Sequence, residues 1–206
     1  MTLLKANGKL FYFAHIPKTG GSSVETAMRK AGAERALHFH KRLDFVRCNL
    51  QHMHAALFDT FIPPAFYDAG FCVVRHPVTR LVSEYRWRLT LNHTDSPFDD
   101  WVRTQLAAYS KDPYIFDNHL RPQHEFIGKK ISFFRFEDGM DVILEKLSEM
   151  TGLKLDTATH VRKPDTIAPL TWSPETRALA LRFYETDFSS LAYDYNTEIP
   201  DLEINR

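Results

Sequence analysis

Leu10-Phe11-Tyr12-Phe13-Ala14-His15-Ile16-Pro17-Lys18-Thr19-Gly20-Gly21-Ser22-Ser23 decides the fold class of this 206-residue chain. A short, aromatic-rich apolar run breaks at Pro and Gly, and helix formers follow from Ser22 to Ala31 before Gly32 stops them. That is strand, loop, helix. Phe71 to Val74, then Pro77 in the first turn of a helix to about Leu91, repeats the pattern. Ile131 to Phe136 and the periodic run Met140 to Met150, stopped by Gly152, make a third alternation. Elsewhere the sequence predicts a short strand at Arg35 to His40 and a partly helical stretch from Arg42 to Phe61. It also predicts an amphipathic helix over Phe98 to Tyr109, a polar loop from Tyr114 to Gln123, and a helix from Ser173-Pro174-Glu175 to Tyr184. Strands alternating with helices imply an α/β fold with a mainly parallel central sheet covered on both faces, with ligands at the carboxyl ends of the strands.

Composition narrows the classes further. Hydrophobic residues at 44% and charged residues at 25% are globular values, and the length fits a single domain over 1–206. Lys+Arg and Asp+Glu both number 26, so nothing global calls for nucleic acid or an anionic membrane, and charge-based function must come from local clusters. The apolar run Leu10 to Ala14 is too short for a signal-peptide core or a membrane helix, and Cys48 and Cys72 form no disulfide framework or zinc site by themselves. The expectation is a cytoplasmic protein without a transmembrane segment.

In the first loop, Gly20 and Gly21 let backbone N–H groups turn inward. These, the positive end of the following helix and the Lys18 ammonium converge on one anion, with Thr19, Ser22 and Ser23 hydroxyls as further donors. An ordinary βα turn with a capping serine shares part of this pattern. The loop is not a Walker A motif, because Lys18 precedes both glycines, and a nucleoside triphosphate is disfavoured.

The second cluster is Arg75-His76-Pro77-Val78-Thr79-Arg80-Leu81-Val82-Ser83-Glu84-Tyr85-Arg86-Trp87-Arg88. Arg75 ends an apolar strand, and Thr79, Arg80 and Ser83 share a helix face by three and four spacing. Four arginines against the single acid Glu84 suggest a second anionic group held by Arg75 and Ser83, although a solvated helix face also carries arginines.

Together, Pro17-Lys18-Thr19-Gly20-Gly21-Ser22 and Arg75 with Ser83 eight residues on resemble the 5′-phosphosulfate loop and the 3′-phosphate motif of sulfotransferases. The Gly-Gly-Ser-Ser ending is closer to the carbohydrate branch, which includes heparan sulfate 2-O-sulfotransferase and dermatan/chondroitin enzymes. His76 departs from the Asp usual there. The resemblance implies a three-layer, P-loop-NTPase-like fold and in-line transfer of a sulfuryl group from 3′-phosphoadenosine 5′-phosphosulfate (PAPS) to an acceptor hydroxyl, most naturally of a carbohydrate. Adenosine 3′,5′-bisphosphate would be the product, and no metal is required. It assigns Pro17, Lys18, Thr19, Gly20, Gly21, Ser22, Ser23, Arg75 and Ser83 to the donor. Lys18 would also stabilise charge on the departing phosphate oxygen.

Ten histidines leave room for a base. His38-x-His40 and His52-x-His54 have a spacing also used for metals, yet no acidic or cysteine third ligand lies nearby in sequence. Of the second pair, alignment with the family assigns the base to His54 and leaves acceptor positioning to His52; a surface or capping histidine is the plainer reading of His54. Acceptor contacts fall by composition on the loop Asn118 to Gln123 and its neighbour, with Arg121, Gln123 and His124 named, and on Arg42, Arg47, Arg86 and Arg88 as cations able to meet an acidic sugar. A nucleotide or phosphometabolite kinase would share the cradle but need a Walker A spacing and an acid for magnesium; a nonenzymatic bisphosphate-binding module would not need the histidine.

Overall fold

The computed structural model describes residues 2–38, 43, 45–157 and 169–205. Strands β1 (Thr2–Ala6) and β2 (Lys9–Ala14) lead into α1 (Gly21–Lys30) and β3 (Glu34–Ala36). A 3₁₀ turn at Leu50–His52 precedes α2 (Ala55–Phe61), then come β4 (Ala69–Val74), α3 (Pro77–Thr90) and α4 (Phe98–Tyr109). After two further 3₁₀ turns follow β5 (Ile131–Arg135), α5 (Met140–Thr151), β6 (Leu170–Trp172), α6 (Pro174–Phe183), α7 (Glu185–Ser190) and β7 (Leu202–Ile204).

The main sheet has the order β3-β1-β2-β4-β5. Its β2, β4 and β5 run parallel, as the alternation predicts, but β1 pairs antiparallel with both β2 and β3. The sheet is therefore mixed rather than mainly parallel. The cause is local: Ala6 pairs with Lys9, and the two residues between them, Asn7 and Gly8, have φ of 48° and 77°, the positive values that a tight hairpin turn needs. A two-residue link can only reverse the chain.

Alternation along the strands splits the core between two faces. Leu4, Phe11, Phe13, Phe71 and Val73 pack against Val24 and Met28 of α1 and Ile143, Leu144 and Leu147 of α5. Leu3, Tyr12, Ala14, Cys72 and Val74 face the other way, toward Phe58 of α2, Met53, Tyr67 and Phe126. Tyr12 and Phe58 stack there with ring centroids 3.9 Å apart. A third cluster joins α3, α4, α6 and α7 through Leu81, Tyr85, Trp101, Leu106, Ala180 and Phe188. No helix among the described residues is long and apolar enough to cross a membrane.

What matters for function is the register. Phe13 pairs with Phe71 and Ala14 with Cys72, so β4 runs two residues past the end of β2 and the segments after both leave from the same end of the sheet.

Asn7 also donates from Nδ2 to Thr151 O at 3.2 Å, tying the hairpin to the end of α5. Asn7→Ala should cost about 1–2 kcal/mol, from the left-handed backbone and the lost bond together. Asn7→Gly should recover the backbone share. Urea denaturation of both variants measures the split.

Candidate active site

A cleft of about 760 Å³ is lined by Pro17, Lys18, Gly20, Gly21, Ser22 and Ser23 from the first loop and by Arg75 and Ser83 from the second. The cradle is tightly built. Gly20 has φ of 86°, and a Cβ there would lie 2.8 Å from Met140 Cε; one on Gly21 would lie 2.5 Å from His15 Nε2. No side chain caps α1; Ser23 N donates to Gly20 O at 3.0 Å, and the Gly21 and Ser22 N–H groups of the first turn are left for a ligand. Lys18 places Nζ 4.7 Å from the Trp87 ring centroid. Burial pulls its pKa down; Glu84 opposes this, and Arg75 and Arg88 add to it.

Arg75 joins the two loops. Its Nε donates to Thr79 Oγ1 at 3.1 Å, its Nη1 donates to Lys18 O at 3.4 Å, and its guanidinium lies 4.6 Å from the Phe136 ring centroid. Gln123 fixes the backbone beneath it: Arg75 N donates to Gln123 Oε1 at 2.9 Å and Gln123 Nε2 donates to Arg75 O at 2.7 Å.

Four histidines, His15, His38, His52 and His119, line the same cleft. His52 Nδ1 donates to Asp117 Oδ2 at 2.6 Å. Asp117 is gripped in turn by Asn49, through N at 2.5 Å and Nδ2 at 2.6 Å, while Asn118 Nδ2 donates to His52 O at 2.8 Å. This grip rests on three consecutive left-handed residues, Phe116, Asp117 and Asn118, with φ of 50°, 58° and 66°. Asp and Asn tolerate that conformation; Phe does not readily, and its ring is held by Arg88 at 4.1 Å. His119 stands with its ring centroid 5.0 Å from that of His52 and donates from Nδ1 to Glu84 Oε2 at 2.6 Å. Burial alone would raise the Glu84 carboxyl, but His119 and Arg88 hold it down at about 2.

On the other side His15 lies 5.5 Å from His52, with Nδ1 3.2 Å from Glu25 Oε1. Glu25 also accepts from Thr2 Oγ1 at 2.6 Å and Gln51 Nε2 at 2.9 Å. Burial lowers the His52 pKa, Asp117 pulls it back, and His119 and His15 lower it again; the net direction is down. At neutral pH His52 is an uncharged imidazole whose Nδ1–H is spoken for, which leaves the Nε2 lone pair to take a proton. Arg29, Arg35 and His38 complete the charged lining, in which Glu25 is the one acid among the described residues.

Several expected residues lie elsewhere. His54 does not line the cleft: the 3₁₀ turn ends at His52, Met53 is buried, and His54 takes the N-cap position of α2 with its ring 5.8 Å from Tyr114. The segment is not extended, so the two imidazoles do not share a side. Burial and the Arg121 charge push the His54 pKa down to about 4. Thr19 is buried, and its hydroxyl donates to Ile16 O at 2.9 Å, closing the loop from inside rather than facing an anion.

The three acceptor candidates are structural in the same sense. Arg121 is buried, bonded to Asn118 and Glu125; Gln123 is the clamp on Arg75; His124 donates from Nδ1 to Asp187 at 2.7 Å. Arg47 pairs with Asp112, Arg86 with Asp201 and Arg88 with Glu84; Arg42 and His40 lie outside the described residues. Arg80 donates to His119 O at 2.8 Å and Arg121 O at 2.7 Å, so it holds the loop and not a ligand. Asp117, His119, Glu84, His15 and Glu25 are the site residues that sequence reading missed. Asp117 and His119 both fall in the polar loop from Tyr114 to Gln123, the one local signal for either.

The family model described as the sulfotransferase family matches residues 3–194. No curated protein and no solved structure matches the chain.

Because Gln123 satisfies both backbone groups of Arg75, Gln123→Ala should lower stability by roughly 2–4 kcal/mol. An acceptor-binding role would instead leave stability unchanged. Chemical denaturation decides between the two.

Proposed function

The chain belongs to the sulfotransferase family, and from that premise we propose that it moves a sulfuryl group from PAPS to a hydroxyl of a carbohydrate, with His52 as general base. The observation that carries this reading is the meeting of the Lys18 loop and Arg75–Ser83 in one cleft with a carboxylate-held imidazole. Lys18 and the first-turn N–H groups of α1 suit the 5′-phosphosulfate, and Arg75 with Ser83 suits the 3′-phosphate.

In the reaction the acceptor oxygen forms a bond to sulfur as the bond from sulfur to the 5′-phosphate oxygen breaks. The acceptor proton passes to His52 Nε2, and Asp117 stabilises the imidazolium that results. Lys18 balances charge growing on the departing oxygen. Arg29 and Arg35, outside the donor loops, give the cleft a positive wall that suits an acidic sugar. His52 replaces His54 in this scheme because it lines the cleft and has its Nδ1 proton fixed.

Arg75→Ala should weaken adenosine 3′,5′-bisphosphate by tenfold or more, the equivalent of one charge-assisted bond of ~1.5–3 kcal/mol, and adenosine 5′-monophosphate much less. Calorimetric titration of both nucleotides checks it; equal losses would remove Arg75 from the 3′-phosphate.

His52→Ala should keep bisphosphate affinity while transfer from radiolabelled PAPS, followed on a glycan panel, falls by about 10² or more. His54→Ala should fall far less. Because the His52 pKa lies below its ordinary value, its neutral form persists into mild acid, and the acid limb of kcat/KM should fall through a pKa below about 6.5. A limb at or above that value would point to another base.

A further inference from the structure

The pair of residues that serves as base and neighbour also has the makings of a metal site. His52, Asp117 and His119 each offer a donor atom, and the three atoms lie within 4.8 Å of one another. His52 Nδ1 and Asp117 Oδ2 stand 2.6 Å apart within the trio, and His119 gives its Nδ1–H to Glu84, a carboxylate outside it, at 2.6 Å. A metal-binding histidine characteristically has its second nitrogen held in this way, which fixes the tautomer and makes the free nitrogen a better ligand. The segments that carry the donors are fixed by bonds already described: Asn49 and Asn118 bind the His52 segment to Asp117, and Arg80 grips the backbone at His119.

We propose that His52, His119 and Asp117 form a binding site for a divalent transition metal of the zinc class, assembled by the fold from residues far apart in sequence. Two imidazoles and a carboxylate match the ligand set of such ions, which leave further positions to water. Donors around one tetrahedral zinc stand roughly 3.4 Å apart, and the three atoms, all within 4.8 Å of one another, reach that spacing by small side-chain rotations. The short spacing His52-x-His54 plays no part, since His54 lies outside the cleft against Tyr114. An ion held between His52 Nδ1 and Asp117 displaces the proton they share and leaves the neutral ring with its proton on Nε2, the atom the base uses, so metal and acceptor exclude each other wherever His52 is the base.

The test is calorimetric titration of Zn²⁺ into the full chain at neutral pH, with Co²⁺ absorption as an optical probe of geometry. One equivalent should bind. His119→Ala and the isosteric Asp117→Asn should each weaken binding by about tenfold or more, while His54→Ala should leave it unchanged. Should His119→Ala fail to fold, Asp117→Asn and the wild-type imidazole ¹⁵N shifts decide: those of His52 and His119 should move with Zn²⁺ and that of His54 should not. Absence of binding at submillimolar Zn²⁺, equal binding by all three variants, or loss confined to His54→Ala would each overturn the proposal. None of these readouts uses the sulfuryl donor or turnover, so their failure would leave the sulfuryl-transfer reading untouched.

Discussion

The parallel pairing of β2 with β4 is the constraint from which the site follows. Ala14, the last residue of β2, sits opposite Cys72, two residues before the end of β4, and this brings a lysine-bearing loop and an arginine from segments nearly sixty residues apart into one cleft. Apolar alternation sets the register, because a slip by one residue would turn Phe13 and Phe71 from the α1/α5 face to the α2 face. The bond from Arg75 to Lys18 O then fastens one loop to the other.

Within the cleft the recurring device is a carboxylate behind an imidazole. Asp117 stands behind His52, Glu84 behind His119 and Glu25 beside His15, and each acid is held by further donors so that it stays ionised. Asp117 and Glu84 lie behind their rings, and Glu25 is the one acid on the lining among the described residues. A chain of zero net charge thus gives this cleft a mostly basic lining without carrying an excess of lysine and arginine.

The two loops that meet on the cleft were legible as strand, loop and helix because each pattern is local, its strand, loop and helix start falling within a dozen residues. The helix Phe98–Tyr109 was legible to the residue because its apolar period is clean. The hairpin was missed because β1 is buried on both faces and shows no alternation, leaving Asn7-Gly8 as its one sign. β6 and β7, at three residues each, are too short to carry a period. That His52 lines the cleft and His54 does not turns on a backbone detail: the 3₁₀ turn ends at His52, and His54 takes the N-cap of α2. The pairs His52–Asp117 and His119–Glu84 span 65 and 35 positions, and no local pattern announces a partner at that distance. Arg121, Gln123 and His124 looked like ligand contacts by composition, yet polarity there serves to satisfy a buried loop.

Helix α3 carries Ser83 on the cleft, Glu84 behind His119, and Arg80 clasping the carbonyls of the loop that bears His119. One rigid body therefore carries parts of two walls of the cleft. A change that shifts α3 moves both at once, whereas Arg35, on the short edge strand β3, has no such double duty. Diversification of such an enzyme would be channelled to one side of its cleft, with the other kept as inherited machinery.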